Sequence, residues 1–352
     1  MKKKIIIMAV FLLLSVVPIT GSNSLNLKTN ISSNSINGVL YVGGSGPNNY
    51  TEIQSAVDAA EEGDTIFVYD DSSPYYENVV VNKSINLIGE DKNSTIVDGS
   101  KKGYVFKILG NEITITCFTI KNSDKFPSAG IYLLSDSRDN TIIDNIIISN
   151  GQAIRMCSTY GNTISQNTII ENDCGIGLKF SNNNVISHNY ISNRGYGIGI
   201  GINSSGNNVS FNVLYKNYNG VAIDNGVNNK VYKNEITLCK ETGIAIWSGV
   251  GNVIIGNNIS QNPEGIKLGS FSLRLIGPCM LTSITKNNLM NNAQNAQIWF
   301  NILPLPNIWI RNYWDDWRLP IPRPIPGIVA FGYMGFIPWF MFDWHPSLTP
   351  YR

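Results

Sequence analysis

The feature that most restricts the fold of this chain is a repeat of 22 or 23 residues. Six asparagines recur at this spacing, namely Asn145, Asn167, Asn189, Asn212, Asn234 and Asn257. An aliphatic residue follows each of them two positions later, and Ala or Gly eight or nine positions later begins a short apolar segment. Short alternating segments rich in Ile and Val are typical of strands, and so small a unit buries its apolar side only by stacking on its neighbours. The repeat therefore predicts an all-β fold, a right-handed parallel β-helix of about ten coils with three strands each.

The two ends of this β-helix, which is predicted to span 39–300, differ from its middle. A capping-box pattern, Thr51 followed by Gln54, predicts a short helix at 52–61 that covers the first coil. The repeats are clearest over 140–270, and an insertion at 271–280 interrupts them. Residues 301–352 are rich in Trp, Pro and Phe, which predicts an irregular C-terminal cap. Near the start, strands are predicted at Thr65–Val68, Val79–Val81, Ser84–Ile88 and Thr95–Val97.

Residues 1–22 have the pattern of a secretory signal peptide. Three lysines precede an apolar run from Ile5 to Val17, and small residues follow at Thr20-Gly21-Ser22. We expect cleavage there, a linker at 23–38, and a secreted or cell-surface protein. The alternative is an uncleaved signal, which would be the only membrane attachment that the sequence indicates. Seven Asn-x-Ser/Thr sequons permit glycosylation after export.

The charge balance argues against a nucleic-acid partner. The chain has 26 Lys+Arg and 25 Asp+Glu, so it offers no basic field for phosphates. Its five cysteines form no Cys-x-x-Cys pair, and most are expected to be packed or turn thiols. The sequence specifies neither their pairing nor an oligomeric state.

Several segments resemble pectin-lyase-like β-helix proteins and, among these, the NosD-like family. They are Tyr41-Val42-Gly43-Gly44, Ile53-Gln54-Ser55-Ala56-Val57, Gly63-Asp64-Thr65-Ile66, Val79-Val80-Val81-Asn82-Lys83-Ser84, Leu87-Ile88-Gly89, Asn312-Tyr313-Trp314-Asp315-Asp316 and Phe342-Asp343-Trp344-His345-Pro346. The resemblance covers about 39–351 and implies the β-helix fold. For this group of archaeal and bacterial surface proteins it also implies carbohydrate binding or sugar hydrolysis, although one fold hosts unrelated functions.

The resemblance to NosD also implies a link to copper-site assembly. The sequence has only two histidines, His188 and His345, which are far apart, and no cluster of Met and Cys. Because Cu(I) and Zn²⁺ sites require such clusters, we expect no metal site and no cofactor, and we do not expect the copper role to carry over.

The acidic residues give no clear catalytic pair. Cleavage of a polysaccharide needs two carboxylates at a fixed separation, or acids that hold Ca²⁺ beside a base. The acids of the repeats, namely Asp144, Glu171, Asp173, Asp224, Glu235, Glu241 and Glu264, fall in scattered columns. Neighbouring side chains on a strand point opposite ways, so Asp70-Asp71 is not expected to form one site. Asp315-Asp316 either forms a closing turn or, beside Trp314 and Trp317, contacts a sugar. No catalytic residue is therefore predicted.

A candidate binding strip follows from two outward-facing columns of the repeat. One column contains Arg155, Gly177, Gly199, Ala222, Ala245 and Lys267, and the next contains Cys157, Lys179, Gly201, Asp224, Trp247 and Gly269. Recurrent glycine often marks close approach by a ligand or another backbone. We therefore predict a smooth strip for a sugar chain, with Arg155, Lys179, Asp224, Trp247 and Lys267 as binding residues. Alternatively, the apolar segment Ile325–Phe342 folds back over the strip.

Three functions are compatible with these patterns. We favour a non-catalytic secreted or surface protein that binds a polysaccharide, a cell-surface glycan or another surface partner. The first alternative is a polysaccharide lyase or glycoside hydrolase on the same fold, and the second is NosD-like copper delivery.

Overall fold

The chain winds into the predicted parallel β-helix. A computed structural model describes residues 38–134, 136–269, 279–300, 307–330 and 336–352. The predicted signal peptide and nearly all of the linker lie outside these ranges, as does most of the predicted insertion. Three strands make up each regular coil, and strands of successive coils pair in parallel, so that the solenoid has three faces. Within these ranges face 3 has eleven strands, which corresponds to about eleven turns.

The strands of each face are named here in chain order. Face 1 consists of β1 (Val39–Val42), β2 (Thr65–Val68), β4 (Asn86–Gly89), β7 (Thr114–Thr116), β10 (Thr141–Ile143), β13 (Thr163–Ser165), β16 (Val185–Ser187), β19 (Asn208–Ser210), β22 (Lys230–Tyr232), β25 (Val253–Ile255), β29 (Ser283–Thr285), β32 (Ile308–Ile310) and the closing strand β35 (Phe336–Asp343). Face 2 consists of β5 (Ile96–Asp98), β8 (Thr119–Lys121), β11 (Ile146–Ile148), β14 (Thr168–Ile170), β17 (Tyr190–Ser192), β20 (Val213–Tyr215), β23 (Glu235–Thr237), β26 (Asn258–Ser260), β30 (Asn288–Met290) and β33 (Tyr313–Trp314). Face 3 consists of β3 (Val79–Val81), β6 (Phe106–Ile108), β9 (Ala129–Leu134), β12 (Gln152–Cys157), β15 (Cys174–Lys179), β18 (Ile198–Ile200), β21 (Asn219–Val227), β24 (Thr242–Val250), β27 (Glu264–Leu268), β31 (Gln294–Phe300) and β34 (Arg323–Ala330). The short β28 (Cys279–Met280) pairs with the end of β24.

Aliphatic columns fill the interior. Ile147, Ile169, Ile191, Leu214, Ile236 and Ile259 align in register from coil to coil and are fully buried. The column that begins with Ile154 does the same on face 3. The small residue before that column is required by space, because a Cβ on Gly175 would collide with the carbonyl oxygen of Gly197 in the next coil. The inward columns predicted from the repeat are therefore confirmed.

Three ladders of buried asparagines run along the corners between faces. In the second ladder, the backbone N–H and the side-chain Nδ2 of each asparagine both donate to the Oδ1 of the next, for example from Asn145 to Asn167 at 3.0 and 3.1 Å. Its members are Asn145, Asn167, Asn189, Asn212, Asn234, Asn257, Asn287 and Asn312. The first ladder runs from Asn140 to Asn252, and the third from Asn150 to Asn292.

The stacked amides thus bond from coil to coil. In the second ladder, the left-handed backbone of each turn belongs to the residue before the asparagine, as at Gln166 (φ 57°) and His188 (φ 58°). The asparagines are selected by their side chain, which supplies both a donor and an acceptor in line with the stacking direction.

A carboxylate ends the second ladder. Asp343, which is fully buried, accepts hydrogen bonds at Oδ2 from the backbone N–H and Nδ2 of Asn312 and from the indole Nε1 of Trp314, at 2.9–3.1 Å. Its Oδ1 accepts from the backbone N–H groups of Arg311 and His345. Every group that faces Asp343 in these bonds is a donor, so an acceptor-only side chain fits here.

The N-terminal helix is present as α1 (Ile53–Ala59), with Ile53, Ala56 and Val57 buried against the first coils. The predicted capping box is wrong, because the N-cap residue is Glu52 and makes no side-chain capping bond. The carboxylate of Glu77 instead accepts from the backbone N–H groups of Ile53 and Gln54 at 2.8 and 2.9 Å. Burial raises the pKa of the Glu77 carboxyl above its ordinary value, against these two hydrogen bonds. A long-range acceptor from the next coil thus replaces the local cap.

The C-terminal cap is more regular than its composition predicts. β34 pairs in parallel with β31 and antiparallel with β35, which forms a hairpin beyond the last coil. The prolines of β34 are compatible with this, because they lie beside the end of the solenoid, where strand prolines are tolerated. Ile325 and Val329 point inward and are buried.

Candidate functional site

The predicted strip on face 3 forms the floor of an open groove. Arg155, Gly177, Gly199, Ala222, Ala245 and Lys267 align in register on neighbouring strands. The groove has a volume of about 280 Å³ and lies over the part of this column from Arg155 to Ala222. No described residue of the hairpin lines it, so the described part of the C-terminal segment does not cover this part of the strip.

The floor is not as smooth as predicted, because Tyr196 lies on it. A Cβ on Gly199 would lie 3.0–3.3 Å from three ring carbons of Tyr196, and one on Gly177 would meet the Tyr196 hydroxyl and Gln152 Nε2. Gln152 Nε2 donates to that hydroxyl at 3.0 Å. Burial raises the pKa of the Tyr196 phenol, which therefore stays protonated at neutral pH. The absence of a Cβ at Gly177 and Gly199 thus leaves room for the Tyr196 ring, which presents one side to the groove.

Arg155 lies at one end of the groove, next to an aromatic stack. The Arg155 guanidinium lies 5.3 Å from the centroid of the Tyr132 ring, which stacks on Tyr104 at 4.5 Å. Its Nη1 donates to the carbonyl oxygen of Pro127 at 2.7 Å. The preceding residue, Phe126, projects from the loop between β8 and β9 and is 58% exposed. Arg155 is therefore held in place with donors remaining for a ligand.

Trp247 and Asp224 line the other end, whereas Lys179 lies on β15, next to the strand that carries Arg155. The sequence places Asp224 and Trp247 in one column, and this alignment is wrong. A register shift after Ile223 pairs Asp224 with Ser248, whose hydroxyl donates to Asp224 Oδ1 at 3.2 Å. Trp247 is the extra residue at this bulge, and bulges commonly redirect a side chain beside a site. Asp224 and Trp247 consequently face the groove together.

Of the five predicted binding residues, four line the groove and Lys267 does not. Lys267 lies one coil past Ala245, where its Nζ pairs with the Glu264 carboxylate at 3.0 Å. Sequence reasoning missed Phe126, Gln152 and Tyr196. The available signal for Gln152 and Tyr196 was their position immediately before the recurrent Ala or Gly, where their side chains reach the column of small residues.

A second, polar pocket lies on the other side of the loop that carries Phe126. It has a volume of about 400 Å³ and is lined by three carboxylates and three cations, namely Asp124, Glu171, Asp173, Lys101, Lys125 and Arg194. Asp173 pairs with Arg194 at 3.2 Å. The sequence places Glu171 and Asp173 among scattered acids, but folding brings both to the same pocket as Asp124. The loop from β8 supplies this third carboxylate, which no repeat column predicts.

Potential metal ligands are dispersed over the described residues. These include no group of three or more His, Cys, Asp or Glu side chains arranged to hold a metal ion. All five cysteines are free, and burial raises the pKa of Cys239 to about 12 and that of Cys279 to about 11, so both remain thiols at neutral pH. His188 is exposed and stacks on Phe211 at 5.1 Å. None of the helices described is long and apolar enough to cross a membrane.

Comparisons with known proteins agree with this architecture. Residues 57–237 match the family model described as periplasmic copper-binding protein (NosD), and residues 198–302 match one described as right handed beta helix region. No curated protein gives a significant match.

Solved structures share the fold at low sequence identity. The Dettilon tailspike protein (gp208) aligns with a TM-score of 0.58 and 14% identity over 78% of this chain, which spans 61% of the tailspike chain. The A-module of Azotobacter vinelandii mannuronan C-5 epimerase AlgE6 has a TM-score of 0.57 and 16% identity over 74% of this chain and 88% of its own. The alginate lyase from Paenibacillus sp. str. FPU-7 has a TM-score of 0.53 and 14% identity over 77% of this chain and 95% of its own. These likenesses establish the fold alone.

Copper, which the matched family description names, does not fit the side chains described here. A Cu(I) site requires several soft ligands within one coordination sphere, and Cu(II) favours imidazoles in a tetragonal set. Met156 is fully buried in the core, the two most buried thiols are protonated, and no described group of three or more His, Cys, Asp or Glu side chains arranged to hold a metal ion includes His188.

Proposed function

The chain belongs to the NosD family, and we propose that it is an exported β-helix protein that binds a carbohydrate chain in the face 3 groove without cleaving it. One observation carries this proposal: aromatic rings, charged groups and small residues converge on an open groove on a rigid sheet. Sugar rings have apolar faces that pack on aromatic rings, and hydroxyls that need precisely placed polar partners. Phe126, Tyr196 and Trp247 supply the rings.

The charged groups at the two ends fix how a chain would lie. Arg155 and Lys179 provide donors only, and Asp224 provides acceptors. Lys179 is exposed, and its ammonium lies 5.4 Å from the centroid of the Phe180 ring. Because this contact uses none of its N–H donors in a hydrogen bond, the ammonium can still donate to a ligand. The groove runs along the helix axis, across strands about 4.8 Å apart. From β12 to β24 this corresponds to roughly 19 Å, long enough for several sugar units.

A panel of neutral and acidic polysaccharides, screened by affinity electrophoresis and followed by calorimetry on any ligand found, tests binding. We expect Trp247→Ala to weaken binding about tenfold or more, because truncating a tryptophan anchor commonly costs about 2 kcal/mol. Lys179→Ala should weaken it less. Ala222→Trp, which fills the groove, should abolish binding while the melting temperature stays within a few degrees.

Matched controls lie elsewhere on the surface. Trp344→Ala removes an exposed tryptophan outside the groove, and Lys230→Ala removes a lysine that lies over a tyrosine ring much as Lys179 lies over Phe180. Both should leave binding unchanged. The absence of any bound polysaccharide, or equal binding by Trp247→Ala and the unmodified protein, would contradict the proposal.

The polar pocket favours one second candidate, a polysaccharide-cleaving enzyme. Asp124, Glu171 and Asp173 are the carboxylates that acid–base cleavage would use, and they lie beside the groove across a single loop. If this candidate is correct, incubation with a bound polysaccharide releases new chain ends, and Glu171→Gln or Asp173→Asn stops the release without loss of binding. If no ends appear, the function is binding alone.

A further inference from the structure

The hairpin of β34 and β35 presents an unusual outer surface. Phe336, Phe340 and Phe342 alternate along β35 on the side away from the core, with exposures of 59, 54 and 39%, and Trp344 follows at 60%. On the opposite side of the strand, Asp343 is fully buried and Met341 packs against the core, whereas Ile337 and Trp339 nearer the start of the strand are 52 and 37% exposed. We call Phe336, Phe340, Phe342 and Trp344 the hairpin platform.

This surface is concentrated, unlike the scattered apolar residues of an ordinary protein surface. Of the 24 large hydrophobic residues that are exposed among those described, nine lie between Leu319 and Leu348. A contiguous apolar patch of this kind marks a site of contact with a protein or a membrane.

The charges around the hairpin platform are one-sided. Asp315 accepts from the backbone of Asn291 and the amide of Asn295, Asp316 pairs with Arg323 at 2.6 Å, and Asp343 is buried in the ladder. Each acid between residues 307 and 352 is thus engaged within the protein. The cations Arg311 and Arg318 are exposed near the base of the hairpin. The backbone of Arg311 bonds to Asp343, which lies between Phe342 and Trp344, and Lys286 aligns with Arg311 one coil earlier. Arg318 lies over the ring of Tyr313, which pairs with Ser347 just beyond Trp344. The base of the platform therefore has a basic rim.

We propose that the hairpin platform docks on the interface of an anionic lipid bilayer. Trp and Phe side chains favour the boundary between head groups and acyl chains, and a basic rim adds attraction to anionic head groups. Pairing of β35 with a strand from another protein is disfavoured, because Pro338 in the middle of this edge strand has no N–H to donate. The site is separate from the carbohydrate groove, and each proposal stands without the other.

Vesicle flotation with the full chain tests the proposal. The probes are vesicles of phosphatidylglycerol and phosphatidylcholine, compared with vesicles of phosphatidylcholine alone. We expect binding to the anionic vesicles to fall about tenfold or more in the double variant Phe340→Ser/Phe342→Ser. The matched control, Phe180→Ser/Phe211→Ser, removes two similarly exposed rings elsewhere and should bind like the unmodified protein. Arg318→Glu should weaken binding to anionic vesicles only.

A second readout separates the hairpin platform from the apolar run near the N-terminus, which contains no tryptophan. Lipids with brominated acyl chains should quench part of the intrinsic fluorescence. The double variant Trp339→Phe/Trp344→Phe, which removes both exposed indoles of the hairpin, should lose much of that quenching, whereas Trp247→Phe should not. Melting curves confirm that each variant is folded. Three results would overturn the proposal: flotation of the Phe340→Ser/Phe342→Ser variant equal to that of the unmodified protein, binding to neutral vesicles equal to binding to anionic ones, or quenching that persists in Trp339→Phe/Trp344→Phe. So would light scattering that shows a dimer, in the absence of lipid, which the Phe340→Ser/Phe342→Ser variant converts to a monomer.

Discussion

The middle coils and the C-terminal end satisfy the same hydrogen-bonding requirement with different side chains. Between β10 and β27, each coil presents asparagine donors that the next coil accepts, as at Asn212, Asn234 and Asn257. The last coil has no successor, and Asp343 returns from the hairpin to accept those donors. The comparison shows that each coil supplies acceptors for the donors of the coil before it. The last coil lacks such a successor, so a different residue from a non-repeating segment must supply the acceptor.

Exchange of the two residue types should break this arrangement, with the largest effect in the middle. Asn234 Nδ2 donates to Val209 O, Tyr232 O and Asn257 Oδ1, so Asn234→Asp would place a buried carboxylate against three acceptors. We expect a loss of about 3–5 kcal/mol in the free energy of unfolding, because a buried unpaired charge is that costly. Urea denaturation followed by circular dichroism measures it.

The reciprocal change, Asp343→Asn, should be somewhat milder and local. The NH₂ group of an asparagine at this position would face N–H donors of the protein instead of acceptors, at a cost of about 2–3 kcal/mol. Hydrogen exchange should rise first in β32 and β35, not in β20 or β23. Asp139→Asn, at a side chain that is 56% exposed, is the control and should be silent. Uniform exchange throughout the solenoid would show that the end is not a separate unit of stability.

A smaller effect of opposite sign is expected at the one gap inside the third ladder. Cys239 occupies the position between Asn217 and Asn262, and its backbone N–H donates to Asn262 Oδ1 while its thiol offers Asn217 only a weak acceptor. Cys239→Asn should complete the ladder and stabilise the protein by about 1–1.5 kcal/mol. Cys239→Ser, which cannot span the gap, is the control. A lower melting temperature for Cys239→Asn would mean that packing limits the site.

The smallest expected effect concerns alkaline pH. Burial raises the pKa of the Cys239 thiol from 9.0 to about 12, so the unfolded chain loses this proton at a lower pH than the folded protein. The stability that Cys239 contributes is therefore complete below pH 9 and is lost as the pH rises from 9 towards 12. Between pH 8 and 10 the unmodified protein should lose about 1 kcal/mol more than Cys239→Asn. Equal losses would indicate that other groups control alkaline stability.

The repeat made the middle coils predictable, because register from coil to coil follows from spacing alone. The inward column through Ile198 and the strip through Gly199 lie where the spacing puts them. The side chains that shape the groove could not be predicted from the spacing. Tyr196 folds over Gly199 within its own coil, and Trp247 leaves its column at a bulge, and both depend on side-chain packing that periodicity does not describe.

The end of the chain was least predictable, for a related reason. Arg323–Asp343 has no periodic counterpart, and its prolines favoured an irregular structure in the sequence. The hairpin forms because Ile325 and Val329 complete the open end of the core, a tertiary gain that local propensity does not report.

All hydrogen bonds of the second ladder run in the same direction, and the ladder therefore has a net electric dipole. Each side-chain amide points its oxygen towards the N-terminal coils and its NH₂ towards the C-terminal coils, so eight small dipoles add head to tail. As in an α-helix, such a row has a negative and a positive end. The positive end meets Asp343, the only member with a formal negative charge. The solenoid therefore has a built-in polarity, and its two ends are not electrically equivalent even before any surface charge is considered.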